Sequence, residues 1–209
     1  MDLIRTPPGS PGSLGVFPGT FNPPTRAHMA IAKAALGVVD QVLFVLPRVF
    51  PHKPYAGASF AQRLRMIEAA TAGEPRFGIA ASERGLFIEI ARECREQFGE
   101  NVELHFLCGR DAAERIIHWD YGEPGAFQKM LNEFGLLVAR RRGGMEIPAE
   151  LRDRIRPLEM GEDWDEVSAT EVRERISRGE PWEHLVPGEI AGLVGEFYQA
   201  TGDGKAGRR

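Results

Sequence analysis

Apolar and polar positions alternate along this chain between two periods. Short runs such as Val42-Leu43-Phe44-Val45-Leu46 are apolar throughout, as expected of a strand covered on both sheet faces. Between them lie longer stretches whose apolar residues recur at helical spacing. The alternation predicts six strands: Leu14–Phe17, Gln41–Leu46, Phe77–Ala80, Val102–Leu107, Leu136–Ala139 and Ile155–Leu158. It predicts six helices: Arg26–Leu36, Phe60–Ala72, Phe87–Phe98, Ala126–Phe134, Thr170–Ser177 and Gly188–Gln199. Strands and helices that alternate along most of the chain point to an α/β fold, a doubly wound parallel sheet with helices on both faces. Residues 1–13, rich in Pro, Gly and Ser, read as a disordered lead-in, 14–199 as one domain, and 200–209 as a frayed tail.

Two helix starts carry the polar residues that stand out against this pattern. The first strand enters the loop Pro18-Gly19-Thr20-Phe21-Asn22-Pro23-Pro24, which opens a helix at Thr25-Arg26-Ala27-His28. Thr25 is placed to cap it, and His28 falls in the first turn, at the positive end of the helix, where an anion binds readily. Far down the chain, Ser168 followed by Glu171 has the spacing of a capping box. Thr170 and Arg173 then share one face of the first turn, a hydroxyl beside a guanidinium suited to phosphate. Each start also has an ordinary reading, as a βα turn or a simple cap. Together they suit a polyphosphate held at both ends. Open parallel sheets bind ligands beyond the C-terminal ends of their strands, and the unusual polar residues do follow successive strands.

Composition narrows the partners. With 209 residues, 43% of them hydrophobic, the chain can build one substantial core. A net charge of −4 and a single short basic cluster, Arg140-Arg141-Arg142, argue against a general nucleic-acid binder. Cys94 and Cys108 are too few for a disulfide framework or a Cys-based zinc site. No apolar stretch approaches a membrane span, and residues 1–13 lack the apolar core of a signal peptide. The expectation is a cytoplasmic protein without membrane partners, with a homo-oligomer left open.

The first site resembles the Gly-x-Phe-x-Pro…(His/Thr)-x-Gly-His motif of the cytidylyltransferase-like superfamily, and the second its Ile-Ser-Ser-Thr-x-x-Arg motif. Within that group the chain is most similar to bacterial nicotinate-nucleotide adenylyltransferases. Pro51-His52-Lys53, the helix containing Gln62-Arg63-Leu64-Arg65-Met66, and Leu107-Cys108-Gly109-Arg110-Asp111 resemble further family segments. Trp119 stands about where the family carries an indole beside the nicotinate ring.

The resemblance implies a Rossmann-like fold and transfer of AMP from ATP to the 5′-phosphate of nicotinate mononucleotide. It implies catalytic roles for His28, Lys53 and Arg173, and ATP contacts from Gly19, Thr20, Phe21, Thr25, Gly109, Asp111, Ser168 and Thr170. Acceptor contacts fall to His52, Lys53, Trp119 and Arg141. Mg²⁺ is expected to be bound mainly through the ATP phosphates, with few protein ligands of its own. In-line attack by the acceptor phosphate needs no protein nucleophile, only alignment and stabilisation of the developing charge. Four features depart from the family pattern: Thr25 in place of the first His, Ala27 for the motif glycine, Ala169 for the second serine, and the apolar run Gly85-Leu86-Phe87-Ile88-Glu89-Ile90. They leave open another acceptor, such as nicotinamide mononucleotide or pantetheine phosphate, or a non-catalytic nucleotide sensor.

Overall fold

The computed structural model describes residues 1–48, 57–83, 85–117, 126–139, 147, 151–161, 164 and 166–199. Among these, seven strands form one sheet: β1 (Asp2–Arg5), β2 (Ser13–Pro18), β3 (Gln41–Pro47), β4 (Phe77–Ser82), β5 (Glu103–Gly109), β6 (Gly135–Ala139) and β7 (Ile155–Leu158). The helices are α1 (Arg26–Ala35), α2 (Phe60–Thr71), α3 (Phe87–Phe98), α4 (Arg110–Ile117), α5 (Ala126–Glu133), α6 (Ala169–Arg178) and α7 (Ala191–Gln199). Each predicted strand and helix is present, with ends shifted by a few residues at most. The helix expected from Gly188 begins instead as a 3-10 turn, Gly188–Ile190, before α7. Unforeseen were α4 and a second 3-10 turn, Glu183–Leu185.

The strand order is β1-β4-β3-β2-β5-β6-β7. Strands β2 to β7 pair in parallel, and β1 runs antiparallel along β4, Asp2 opposite Ala81. The fold is therefore the expected doubly wound, Rossmann-like one, with an antiparallel edge added.

The lead-in expected to be disordered is in fact docked. Beyond β1, Gln41 Nε2 donates to the carbonyls of Pro8 and Gly9, and the Asp40 carboxylate accepts the amides of Gly12 and Ser13. Arg5 donates from Nε to the Phe77 carbonyl and from Nη2 to both oxygens of Thr71. A four-residue edge strand is too short to announce itself by periodicity. It forms because β4 offers it an unpaired backbone edge.

Side chains of the central strands alternate between two cores. On one face Phe17, Phe44, Leu46 and Ile79 meet Met29, Ala32 and Ile67 of α1 and α2. On the other, Val16, Val45 and Phe106 meet Ile90, Cys94, Met130 and Phe134 of α3 and α5. A third cluster, Met66, Val172, Trp182, Val194 and Phe197, packs α6 and α7 onto the outside of α2. Helices leave the sheet in opposite directions from β2 and β5, so the switch point lies between those strands. No helix among the described residues is long and apolar enough to cross a membrane.

Candidate active site at the sheet switch point

Loop 18–25 leaves the end of β2 and turns sharply into α1. Phe21 sits at φ 46°, in the left-handed region, with its ring buried against Phe17, Phe44 and His28 at centroid distances of 5.5, 5.5 and 5.3 Å. Gly19 is required beside it, since a Cβ there would lie 2.8 Å from the Phe21 ring. The Asn22–Pro23 peptide is cis.

At the head of α1, Thr25 and His28 interlock. The Thr25 hydroxyl accepts the His28 amide at 3.4 Å and lies 2.7 Å from His28 Nδ1, and the Thr25 amide donates to the same Nδ1 at 3.0 Å. A backbone N–H can only donate, so Nδ1 is an acceptor and the ring proton resides on Nε2. Burial of the imidazole against Phe17 and Phe21 lowers its pKa from 6.5 to about 4. The ring is therefore neutral at pH 7, a fixed Nε2–H donor at the positive end of a helix. Thr25 is fully buried and Phe21 is 1% exposed, so neither of these two expected ATP contacts has a side chain open to a ligand. Gly19 is half-buried and Thr20 exposed.

Ser168 caps α6, its hydroxyl accepting the Glu171 amide at 3.1 Å. The capping box expected there is only half formed. The Glu171 carboxylate turns to Arg175 Nε, 2.6 Å away, because an i, i+4 cation competes for it. The amides of Ala169 and Thr170 remain without intrahelical partners. Arg173 donates from Nη1 to the Asn22 carbonyl at 2.6 Å and the Ala169 carbonyl at 3.0 Å, and from Nη2 to the exposed Thr170 hydroxyl at 3.2 Å. This contact with Asn22 ties the second helix start to the loop that carries His28. The methyls of Ala27 and Ala169 sit on regular, half-exposed helix positions and disturb neither start.

Gly109 ends β5 at the other side of the switch point, and a Cβ there would meet nothing within 4 Å. Asp111 lies in the first turn of α4. His52, Lys53, Trp119 and Arg141 lie outside the described residues. His105 is buried in β5 and paired with Glu103 at 3.0 Å, a structural arrangement. Cys94 and Cys108 are buried with thiol pKa values pushed up to about 12 by desolvation, too high for a nucleophile. Among the described residues no three His, Cys, Asp or Glu side chains converge on a metal-binding position.

Two supporting residues were not singled out from the sequence. Arg63, 1% exposed, donates to the carbonyls of Thr20 at 3.1 Å and Pro47 at 3.3 Å, joining the loops after β2 and β3. Asn22, 5% exposed, receives donors from three other segments. A buried arginine on an otherwise amphipathic helix is the signal that could have marked Arg63. A groove of about 660 Å³ between α1, Trp164 and Glu189 runs along another flank of α1, and His28 does not line it.

Comparison with known proteins shows the family and the fold. A cytidylyltransferase-like family model matches residues 16–175. A protein of Gloeobacter violaceus named a probable nicotinate-nucleotide adenylyltransferase is 30% identical over 196 residues, covering 87% of this chain and 92% of its own. One of the same name from Moorella thermoacetica is 30% identical over 194 residues, covering 85% and 86%. The solved structure of Plasmodium falciparum nicotinic acid mononucleotide adenylyltransferase complexed with NaAD shares the fold. Its TM-score is 0.68 at 16% identity, covering 88% of this chain and 95% of that one. The chain belongs to the cytidylyltransferase-like family and, within it, to the nicotinate-nucleotide adenylyltransferases.

Proposed function

We propose that this protein transfers AMP from ATP to the 5′-phosphate of nicotinate mononucleotide, forming the dinucleotide and releasing pyrophosphate. The observation that carries the reading is the locked, neutral His28 with Arg173 tethered to the same loop. An oxygen of the acceptor phosphate attacks the α-phosphorus as its bond to the pyrophosphate oxygen breaks. His28 Nε2–H donates to an α-phosphate oxygen, stabilising the charge that builds there. Arg173 and the amides of Ala169 and Thr170 hold the β- and γ-phosphates. Gly109 lets the nucleotide approach the sheet edge, and Asp111 accepts from ribose hydroxyls. Lys53 and His52 meet phosphate, Arg141 the acceptor phosphate, and Trp119 the pyridine ring.

Mg²⁺ arrives on the ATP phosphates as part of that substrate, where it screens their charge. The substrates are soluble nucleotides, in keeping with a cytoplasmic protein, and the chemistry requires no self-association.

Pyrophosphate release, measured with ATP, Mg²⁺ and a panel of acceptors, tests the reading. Turnover is expected with nicotinate mononucleotide, and His28→Ala is expected to lower it by 10²–10³-fold, about 2.7–4 kcal/mol. Turnover only with nicotinamide mononucleotide or pantetheine phosphate overturns the acceptor. ATP binding without turnover on any acceptor overturns the enzyme reading.

A further inference from the structure

Asn22 is a node between segments that are distant in sequence. Its side-chain Oδ1 accepts the Ala58 amide at 3.1 Å and the hydroxyl of Tyr198 in α7. Its backbone carbonyl accepts Arg173 Nη1. Gly57, at φ 139°, presses against the same side chain: a Cβ there would lie 2.2 Å from Asn22 Nδ2. One buried residue thus meets the head of α6, the end of α7 and the entry to α2.

The consequence falls on Arg173. Both hydrogens of its Nη1 go to carbonyls, those of Asn22 and Ala169. The plane of the guanidinium therefore follows the direction of the Asn22 carbonyl, and Nε stands on the opposite edge. That carbonyl belongs to a residue whose side chain is held by the Ala58 amide and the Tyr198 hydroxyl among its partners. The aromatic body of Tyr198 packs in the α6–α7 cluster, leaving its hydroxyl as the polar tip that reaches Asn22.

We propose that Tyr198 and Asn22 are positioning residues, a relay from α7 that orients Arg173 toward the ATP phosphates. The inference rests on the assignment of Arg173 to those phosphates. Without the Tyr198 hydroxyl, the Asn22 amide loses one restraint, its carbonyl tilts, and the edge of Arg173 turns from the ligand.

A double-mutant cycle with Tyr198→Phe and Arg173→Ala tests this, reading KM for ATP, kcat and Tm. Tyr198→Phe is expected to raise KM for ATP about fivefold, the effect of one hydrogen bond, with kcat changed less. The shift should vanish in the Arg173→Ala background. Asn22→Asp, which keeps an acceptor oxygen, should stay near the parent KM, whereas Asn22→Leu should not. A merely structural role would lower Tm and leave KM for ATP unmoved. An unmoved KM, or full additivity, with Arg173→Ala itself impaired, overturns the relay alone. An Arg173→Ala variant with the parent KM and kcat overturns the phosphate assignment beneath it.

Discussion

Replacing Thr25 with Val separates capping from catalysis at the head of α1. The substitution keeps the branching of a fully buried side chain and puts a methyl in place of the hydroxyl. That hydroxyl makes two contacts, accepting the His28 amide and approaching Nδ1 at 2.7 Å. Loss of an N-cap costs about 1 kcal/mol, which for a chain of this size lowers Tm by about 2–4 °C. A methyl cannot sit 2.7 Å from a ring nitrogen, so the imidazole must retreat, held only by the Thr25 amide at 3.0 Å. If the retreat forfeits about 1.4 kcal/mol of hydrogen bonding to the α-phosphate in the transition state, kcat/KM falls about tenfold. Deleting the imidazole should cost more, on the order of 10²–10³-fold. The assays are pyrophosphate release and thermal unfolding on the same preparations, with Thr25→Ser expected near the parent in both. A Thr25→Val protein with lowered Tm but parental kcat/KM refutes the argument. The hydroxyl would then cap the helix and do nothing for His28.

Two further predictions follow from the same geometry. His28 titrates near 6.5 when unfolded and about 4 when folded, so between those values the unfolded chain binds the extra proton. Stability should be flat in this group above pH 6.5 and fall as pH drops toward 4, by on the order of 3 kcal/mol. Urea titrations across that range should lose this component in His28→Asn, and a parallel pH profile in the two proteins would contradict the neutral, half-buried ring. Arg63→Met should remove the charged donor shared by the Thr20 and Pro47 carbonyls, costing about 1.5–3 kcal/mol in all. Its loops carry residues assigned to both substrates, so KM for ATP and for the acceptor should rise together, which steady-state kinetics would show.

The sequence revealed most of the frame, because the buried strands are apolar throughout and the helix starts carry their own caps. Thr25 and Ser168 could be read as caps from local spacing alone. What stayed hidden depended on partners far away in the chain. Glu171 has capping-box spacing, yet its carboxylate goes to Arg175. β1 has no periodicity to read and exists through the edge of β4. Asn22 stands in the sequence as one residue of the loop before α1, and its role as a node needs Ala58, Arg173 and Tyr198 to be brought together by the fold. The tautomer of His28 is a middle case. The residue was evident from the sequence, but its state follows from a backbone amide whose direction only the structure gives.

The apolar run at residues 85–90, which departs from the family pattern, is divided by the fold between packing and surface. Phe87 stacks on Phe106 with centroids 4.6 Å apart and planes 20° from parallel, and it also meets Phe134. It belongs to the core beneath α3 and is committed to packing. Leu86, at the start of α3, is 48% exposed. The departure from the family pattern therefore divides into a residue that supports the sheet and one that faces outward beyond the end of β4. His28 and Arg173 are fixed differently, by hydrogen bonds to backbone atoms of loop 18–25. Groups anchored to main chain at the switch point keep their geometry while side chains around them change.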